Sequence, residues 1–176
     1  MTAPVIRGVN HIGITVPDIE AAKSFLVEAF GGQVIYQSFG PQDPARQGPE
    51  FERATGAYPG TVVRAQAMVK IGTGPDIELF EMHGPKQAQP VTPSDFGITH
   101  FGVYTDDIDA SVQRFEKAGG TALTAPRAIP YATEKGPGNR VCYCRAPWGT
   151  MIEFITTPDR MPYHGQTDLR RWQDKD

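Results

Sequence analysis

Two histidines lie at equivalent positions of an internal repeat in this chain of 176 residues. The segments VNHIGI and ITHFGV stand 89 residues apart and align His11 with His100. The same offset aligns the residues that follow, without a gap, as far as Gly31 and Gly120. Self-similarity at a fixed spacing is typical of a duplicated structural unit, so the two imidazoles are expected at equivalent places in two similar folds.

Two glutamates repeat in the same way farther along the chain. The segment IELF contains Glu78 and the segment IEFI contains Glu153, which stand 75 residues apart. Each lies in an apolar strand, where a carboxylate without a partner is costly and needs a cation, hydrogen-bond donors or a proton. Two such carboxylates, each downstream of an equivalent histidine, predict one shared divalent-metal site with His11, Glu78, His100 and Glu153 as ligands.

The ligand types narrow the choice of ion. Two imidazoles and two carboxylates suit Mn²⁺, Fe²⁺, Co²⁺, Ni²⁺ or Zn²⁺ better than soft Cu⁺. Four protein ligands in a six-coordinate shell leave two positions open, which is enough for a substrate that binds through two oxygens. The alternative is a closed tetrahedral zinc site with a structural role only.

The first copy must position its ligands on a strand, a helix and several further strands. Alternation predicts a strand over residues 9–16, and helical spacing predicts a helix over 19–30 that Asp18 caps and Gly31 ends. Further strands are predicted over residues 34–39, 61–71 and 76–82. The Gly/Pro-rich stretch between them, residues 40–60, predicts a long loop with a helical turn near residues 50–55.

The second copy repeats this order. A strand over residues 100–104 and a helix over 108–118 are predicted to precede strands over 122–125, 141–144 and 151–156. Because the offset falls from 89 to 75, the first copy holds 14 extra residues, which we assign to the loop over residues 40–60. Large loops on a rigid scaffold commonly select the substrate.

These elements predict one domain made of two modules. The first module spans residues 8–84, a linker spans 85–97, the second module spans 98–157, and a C-terminal tail spans 158–176. The tail has no counterpart in the repeat, and we interpret Tyr163, His164 and Trp172 within it as candidates for a lid.

Composition and charge restrict the classes of molecule that this protein is expected to bind and the compartment in which it is expected. The net charge of −3 and the pI near 5.8 give no electrostatic reason to expect nucleic acid or an anionic membrane surface. No apolar run approaches the roughly 20 residues that span a bilayer, and residues 1–7 lack the features of a secretion signal. Cys142 and Cys144 lie one residue apart on a predicted strand, which is poor geometry for a disulfide between them. We therefore predict a cytoplasmic protein with reduced thiols.

With these motifs the sequence resembles the vicinal oxygen chelate superfamily. That group contains glyoxalase I, methylmalonyl-CoA epimerase, extradiol dioxygenases, and the fosfomycin and bleomycin resistance proteins. The resemblance covers about residues 8–157, and the segments that carry it are HIGI, PDI, IELFE, HFGV, APWG and IEF. It implies an α+β fold in which two tandem βαβββ modules form a cupped mixed sheet around the metal.

The resemblance also implies a ligand set, an assembly and an activity. His11, Glu78, His100 and Glu153 would be the metal ligands, supplied by one chain or by two chains of a homodimer. The activity would be that of a metal-dependent lyase or isomerase of the glyoxalase or epimerase type. It would transfer a proton through a metal-bound enediolate or enolate of a small hydroxycarbonyl or keto-acid substrate. By resemblance, Glu153 is the first candidate for the base that takes the proton, and Glu78 is the second.

Two other functions stay open at this point. An Fe(II) extradiol-type dioxygenase typically uses two histidines and one glutamate, so the additional Glu78 favours the glyoxalase and epimerase type. A non-catalytic small-molecule binding or resistance protein is the other alternative, and the bleomycin type lacks the ligands that this chain carries. Neither alternative predicts proton exchange on a hydroxycarbonyl compound.

Three residues near the predicted ligands are candidates for binding the substrate. Arg64 lies in the hairpin that leads to Glu78, while Arg140 and Tyr143 lie on the strand that leads to Glu153. An arginine at such a place can hold a carboxylate or phosphate through paired hydrogen bonds. The alternative for each arginine is a solvated position on the surface.

Overall fold

Two five-stranded mixed sheets, one in each half of the chain, are the framework of the part that the structure describes. The structure is a computed structural model and describes residues 8–172. The chain divides into two compact units, with Ala88 ending the first and Gln89 beginning the second. In residues 8–172 no helix has both the length and the hydrophobicity to cross a membrane.

The first unit follows the predicted order of strand, helix and further strands, with two short elements added. Its elements are β1 (His11–Val16), α1 (Ile19–Phe30), β2 (Gln33–Phe39), β3 (Arg46–Gln47), α2 (Pro49–Thr55), β4 (Val62–Lys70) and β5 (Asp76–His83). The strands are arranged β1-β5-β4-β2, and β3 pairs with the end of β4. Strands β1 and β5 are parallel, whereas the other pairs are antiparallel.

Helix α1 has the bounds that its sequence predicts. The side chain of Asp18 accepts a 2.9 Å hydrogen bond from the backbone N–H of Ala21, which satisfies a donor at the helix N-terminus. Gly31 ends the helix in the left-handed conformation, with φ of 68°, where a side chain would be strained. The buried face of α1 consists of Ile19, Ala22, Phe25, Leu26 and Ala29. These apolar side chains bind the helix to its sheet.

The insertion of the first unit contains more regular structure than the predicted loop. Strand β3 and helix α2 lie within residues 40–60, where only a helical turn was predicted. Pro49 occupies the first turn of α2, a position where its missing N–H costs nothing. The side chain of Glu52 accepts a 2.7 Å hydrogen bond from the backbone of Gly60, which ties the helix to the chain leading into β4.

The second unit repeats the same topology. Its elements are β6 (Phe101–Tyr104), α3 (Ile108–Lys117), β7 (Thr121–Ala122), β8 (Arg127–Ala128), β9 (Arg140–Arg145), β10 (Met151–Thr156) and a 3₁₀ turn (Pro162–Gly165). The strands are arranged β6-β10-β9-β7, and β8 pairs with β9. Strands β6 and β10 are parallel, as β1 and β5 are in the first unit.

One predicted strand of the second unit is wrong in its extent. Residues 122–125 were predicted as one strand, but two short strands, β7 and β8, pair with different parts of β9. The last backbone contact before the break is a 2.9 Å hydrogen bond from Leu123 N to Tyr143 O. Pro126 then interrupts the ladder because it has no N–H to donate.

The core of the second unit lies between α3 and the back of its sheet. Phe115 of α3 and Phe154 of β10 meet edge to face, with ring centroids 5.3 Å apart. Cys142 and Cys144 are buried there as free thiols, with their sulfur atoms 3.7 Å apart, which confirms that they form no disulfide. Burial raises the pKa of both thiols, so both keep their protons at neutral pH.

The two sheets place their glutamates at the same point of the strand ladder. Glu78 is the register partner of Gly13 on β1, and Glu153 is the register partner of Gly102 on β6. Because register partners point to the same face of a sheet, each glutamate lies on the same face as its glycine partner. Each of these glycines stands two residues after a predicted histidine ligand.

Candidate metal centre

The first unit brings His11 and Glu78 together. Nε2 of His11 lies 3.2 Å from Oε2 of Glu78. His11 begins β1 two residues before Gly13, the register partner of Glu78, so the strand period places both side chains on one face. We call His11 and Glu78 the first half-site.

The second unit brings His100 and Glu153 together in the same way. Nε2 of His100 lies 3.4 Å from Oε2 of Glu153. A Cβ atom at Gly102 would lie 3.5 Å from that same carboxylate oxygen, so glycine leaves the space beside the carboxylate open. We call His100 and Glu153 the second half-site.

In each half-site the other ring nitrogen of the histidine has a polar partner one residue earlier. Nδ1 of His11 lies 2.9 Å from Oδ1 of Asn10, and Nδ1 of His100 lies 3.1 Å from Oγ1 of Thr99. Metal-binding histidines commonly use their second nitrogen in this way, which fixes the ring and leaves Nε2 for the metal. Asn10 and Thr99 are 89 residues apart, so the repeat itself could have revealed them.

The donor atoms fit a divalent cation. Each half-site offers one imidazole nitrogen and one carboxylate oxygen, the ligand types that Mn²⁺, Fe²⁺, Co²⁺, Ni²⁺ and Zn²⁺ accept. Among residues 8–172, no group of three or more His, Cys, Asp or Glu side chains is placed to hold a metal ion. Each unit brings together two of the four predicted ligands.

The carboxylate of the first half-site has a buried amide as its neighbour. Nε2 of Gln66, on β4, donates a 2.9 Å hydrogen bond to Oε1 of Glu78. Gln66 is only 6% exposed, and its own Oε1 has no hydrogen-bond partner among the described residues. The amide therefore holds one oxygen of Glu78 in place, while the other oxygen lies beside His11.

The carboxylate of the second half-site has a phenol as its neighbour. Tyr143 is the register partner of Glu153 on β9, and its ring meets the His100 ring edge to face at 5.3 Å. Burial, followed by the charge of Glu153 and a hydrogen bond to it, raises the pKa of Tyr143 to about 12. Tyr143 therefore stays protonated at neutral pH and can donate its O–H beside Glu153.

Glu153 and Tyr143 line a pocket of the second unit, which we call the Glu153 pocket. Its other lining residues are Arg127, Ile129, Pro130, Tyr131, Glu134, Val141 and Ile155. Ile129, Val141 and Ile155 are buried and form an apolar floor, against which Tyr143 packs. The rim is polar, so apolar and hydrogen-bonding groups lie side by side around a volume of about 20 Å³.

The three predicted substrate-binding residues have different surroundings. Tyr143 lines the Glu153 pocket. Arg140 instead forms two hydrogen bonds to the carboxylate of Asp109 on α3, of 2.5 and 3.0 Å, and a third to the backbone oxygen of Pro126. Arg64 is exposed on β4, at the bulge between Val63 and Ala65. Arg127 and Glu134, which sequence reasoning missed, line the pocket instead.

The described part of the C-terminal tail packs against the second unit. The backbone N–H of Tyr163 donates to the carbonyl of Thr133, and Tyr163 and His164 meet edge to face. Nη1 of Arg171 lies 2.6 Å from Oε2 of Glu134, and Trp172 meets the ring of Tyr104. The tail thus touches one residue of the pocket rim, while residues 173–176 lie outside the described part.

Comparison with known proteins identifies the family. A family profile described as the Glyoxalase/Bleomycin resistance protein/Dioxygenase superfamily matches residues 10–143. A 2-epi-5-epi-valiolone epimerase from an Actinomyces species is 30% identical over 173 residues, which cover 97% of this chain and 90% of that protein.

Solved structures share the fold. A glyoxalase family protein from Bacillus cereus has a TM-score of 0.65 and 22% identity, and the match covers 89% of this chain and 97% of that one. Glyoxalase I from Zea mays has a TM-score of 0.57 and 20% identity, over 86% of this chain and 45% of that one. The repeated modules, the matched profile and the similar epimerase together establish that this chain belongs to the glyoxalase/bleomycin resistance protein/dioxygenase superfamily.

Proposed function

We propose that this protein is a divalent-metal-dependent epimerase that moves a proton on the carbon beside a carbonyl group. Its substrate is a small hydroxycarbonyl compound or keto acid. The observation that supports this most directly is the pair of equivalent half-sites, each with an imidazole and a carboxylate oxygen within 3.2 to 3.4 Å. We further expect a homodimer and a cytoplasmic location.

The two half-sites together hold the ion in this proposal. His11 and Glu78 supply two ligands, and His100 and Glu153 supply the other two, from one chain or from two chains of the dimer. The bound ion would polarise the substrate carbonyl and stabilise the negative charge that develops on its oxygen. Asn10 and Thr99 would keep the two imidazoles oriented.

A proton is taken from the substrate by a carboxylate of the protein. Glu153 lines the pocket and has a neutral phenol beside it, so it is placed to take a proton from a substrate carbon. Delivery of a proton to the opposite face of the same carbon, by a second acid such as protonated Glu78 or by solvent, completes an epimerisation. Glu78 is the second candidate for the base, but its hydrogen bond from Gln66 favours a fixed position.

The similar Actinomyces protein supports an epimerase over a lyase. It is 30% identical over nearly the whole chain, and its name states an epimerisation. The likeness to glyoxalase I is in fold alone, at 20% identity. An iron-dependent dioxygenase remains a distinct outcome of the experiment below, because it would consume oxygen instead of exchanging a proton.

The test measures bound metal and proton exchange separately. Purified protein is analysed for bound metal, reloaded with single divalent ions, and incubated in D₂O with 2-epi-5-epi-valiolone and with simple α-hydroxy ketones. We expect deuterium to enter the carbon beside the carbonyl, only with metal present and without oxygen uptake. Oxygen uptake with ring cleavage of a catechol would instead establish a dioxygenase. Binding of the ketones without exchange at any metal loading would contradict the proposed activity.

A further inference from the structure

The Glu153 pocket carries two charged residues on its rim that the proposed proton transfer does not use. Arg127 lies on β8 as the register partner of Val141, which points to the same sheet face as Tyr143. Arg127 is therefore on the face that carries Glu153 and lines the same pocket. Glu134 lines the pocket from the loop between β8 and β9.

Arg127 is not paired with an acidic side chain in the part of the chain that the structure describes. Within residues 8–172 its guanidinium forms no ion pair, whereas the donors of Arg140 are taken by Asp109 and by the carbonyl of Pro126. Five N–H donors in a planar fork beside an open pocket can bind neighbouring oxygens of a ligand. Arg127 can therefore form hydrogen bonds to a substrate without first breaking an ion pair.

Glu134 is held in position by groups outside the pocket. Nη1 of Arg171 binds Oε2 of Glu134, and the side chain of Asn139 donates a 2.9 Å hydrogen bond to the backbone oxygen of Glu134. A carboxylate has about four acceptor sites, so the bond to Arg171 leaves capacity for the donors of a ligand. The rim thus offers a donor at Arg127 and a fixed acceptor at Glu134.

The balance of charge around the pocket favours a neutral, hydroxyl-bearing ligand. Glu134 and Glu153 both carry carboxylates, and Arg127 is the only arginine that lines the pocket in the described part of the chain. The Glu134 carboxylate disfavours a phosphate beside Arg127, while hydroxyl groups can donate to Glu134 and accept from Arg127 at once. The volume of the pocket, about 20 Å³, has room for one water-sized group, so a hydroxyl group of a ligand fits there.

We propose that Arg127 and Glu134 bind hydroxyl groups of the substrate away from the reacting carbon, so that the substrate is a polyhydroxylated ketone. This proposal deepens the proposed function, on which it rests for the place of the reacting carbon. It assigns to the rim a role in specificity and leaves the proton transfer to Glu153.

The test compares one ketone with many hydroxyl groups and one with few. Deuterium exchange is measured for 2-epi-5-epi-valiolone and for 2-hydroxycyclohexanone, with the wild type, Arg127→Met and Glu134→Gln. We expect each variant to lower kcat/KM for the polyhydroxylated ketone about 10- to 100-fold, mainly through KM, because a hydrogen bond to a charged group is lost. The rate with 2-hydroxycyclohexanone stays within about twofold of the wild type, since that compound lacks the distal hydroxyl groups.

Matched controls separate the rim from general effects of charge. Arg53→Met removes an exposed arginine from α2 in the first unit and should leave both rates unchanged. Equal losses on both ketones in Arg127→Met or Glu134→Gln would overturn the proposal, and so would no loss on either. A selective loss on a β-keto acid would also overturn it, because Arg127 would then bind a carboxylate.

A binding measurement keeps this proposal separate from the proposed function. Calorimetric titration of 2-epi-5-epi-valiolone into metal-free protein requires no turnover, and we expect Arg127→Met to weaken binding at least about tenfold. If the wild type exchanges no deuterium but binds this ketone in an Arg127-dependent way, the proposed function fails and the rim proposal stands. If binding does not depend on Arg127, the rim proposal is wrong whatever the exchange shows.

Discussion

Gln66 donates a hydrogen bond of 2.9 Å to Glu78, and no such donor exists at the equivalent place in the second unit. The offset of 75 residues that relates Glu78 to Glu153 maps Gln66 onto Val141. The two half-sites therefore match in their ligands and differ in the neighbours of their carboxylates. The Glu78 carboxylate accepts a hydrogen bond from the Gln66 amide, whereas Glu153 lies beside Tyr143 and lines a pocket.

This difference predicts unequal effects of two matched substitutions. We expect Glu153→Gln to lower the rate of deuterium exchange about 10²- to 10⁴-fold, the usual contribution of a positioned base. Glu78→Gln removes the same charge and should retain more activity once the metal is bound. Exchange rates are therefore compared at saturating metal, with the metal content measured for each protein. A larger loss in Glu78→Gln than in Glu153→Gln would reverse the assignment of the base.

The contact between Thr99 and Nδ1 of His100 predicts that Thr99 affects metal affinity. Thr99→Val removes the hydroxyl that lies 3.1 Å from Nδ1 of His100 while it keeps the shape of the side chain. Loss of such a partner commonly weakens metal binding by about 10- to 100-fold. Competition with a chelator measures the affinity, and Thr99→Ser is the control because it keeps the hydroxyl. An unchanged affinity in Thr99→Val would show that the hydroxyl does not support the ligand.

The two buried thiols predict a loss of stability in alkaline solution. Folding raises the pKa of Cys142 and Cys144, so their contribution to stability is fully present below the unfolded pKa of about 8.5 and is lost above it. We expect the free energy of unfolding, measured in urea, to fall as the pH rises from 8 to 10. The double variant Cys142→Ala with Cys144→Ala should show a shallower decline. Parallel declines in the two proteins would contradict this origin.

A glycine at the end of α3 predicts a steric effect. A Cβ atom at Gly120 would lie 2.1 Å from a ring carbon of Phe115, which is fully buried and packed against Phe154. We expect Gly120→Ala to lower the free energy of unfolding by about 1–3 kcal/mol, the usual cost of overpacking a core. Gly74→Ala is the control, since a Cβ there meets nothing closer than 4.0 Å. Equal stability of the two variants would refute the predicted clash.

Much of the fold could be predicted because local signals agree with the repeat. Helix α1 begins after Asp18 and ends at Gly31 as the capping residues indicate, and the ligand strands follow from alternation. The strand predicted over residues 122–125 was wrong because its pairing depends on β9, which lies far along the chain. Helix α2 was underestimated because its apolar pattern is too short to give a clear helical period.

The residues of the candidate site were likewise predicted only in part. The repeat predicts His11, Glu78, His100 and Glu153 as one set of ligands, and the structure places His11 3.2 Å from Glu78 and His100 3.4 Å from Glu153. Gln66 could not be predicted from the repeat, because its role depends on strand register and its counterpart in the second copy is a valine. Arg127 and Glu134 lie in a Pro/Gly-rich stretch, whose path over the sheet no periodicity predicts.

The glycines opposite the two glutamates have a consequence for the neighbours of the carboxylates. Gly13 and Gly102 leave one side of each carboxylate bare, so the strand on the other side distinguishes the two, with Met68 opposite Glu78 and Tyr143 opposite Glu153. A thioether has no hydrogen to donate, whereas a phenol can donate one. Exchange of residues 68 and 143 would therefore alter the neighbours of both carboxylates while it leaves all four predicted ligands in place.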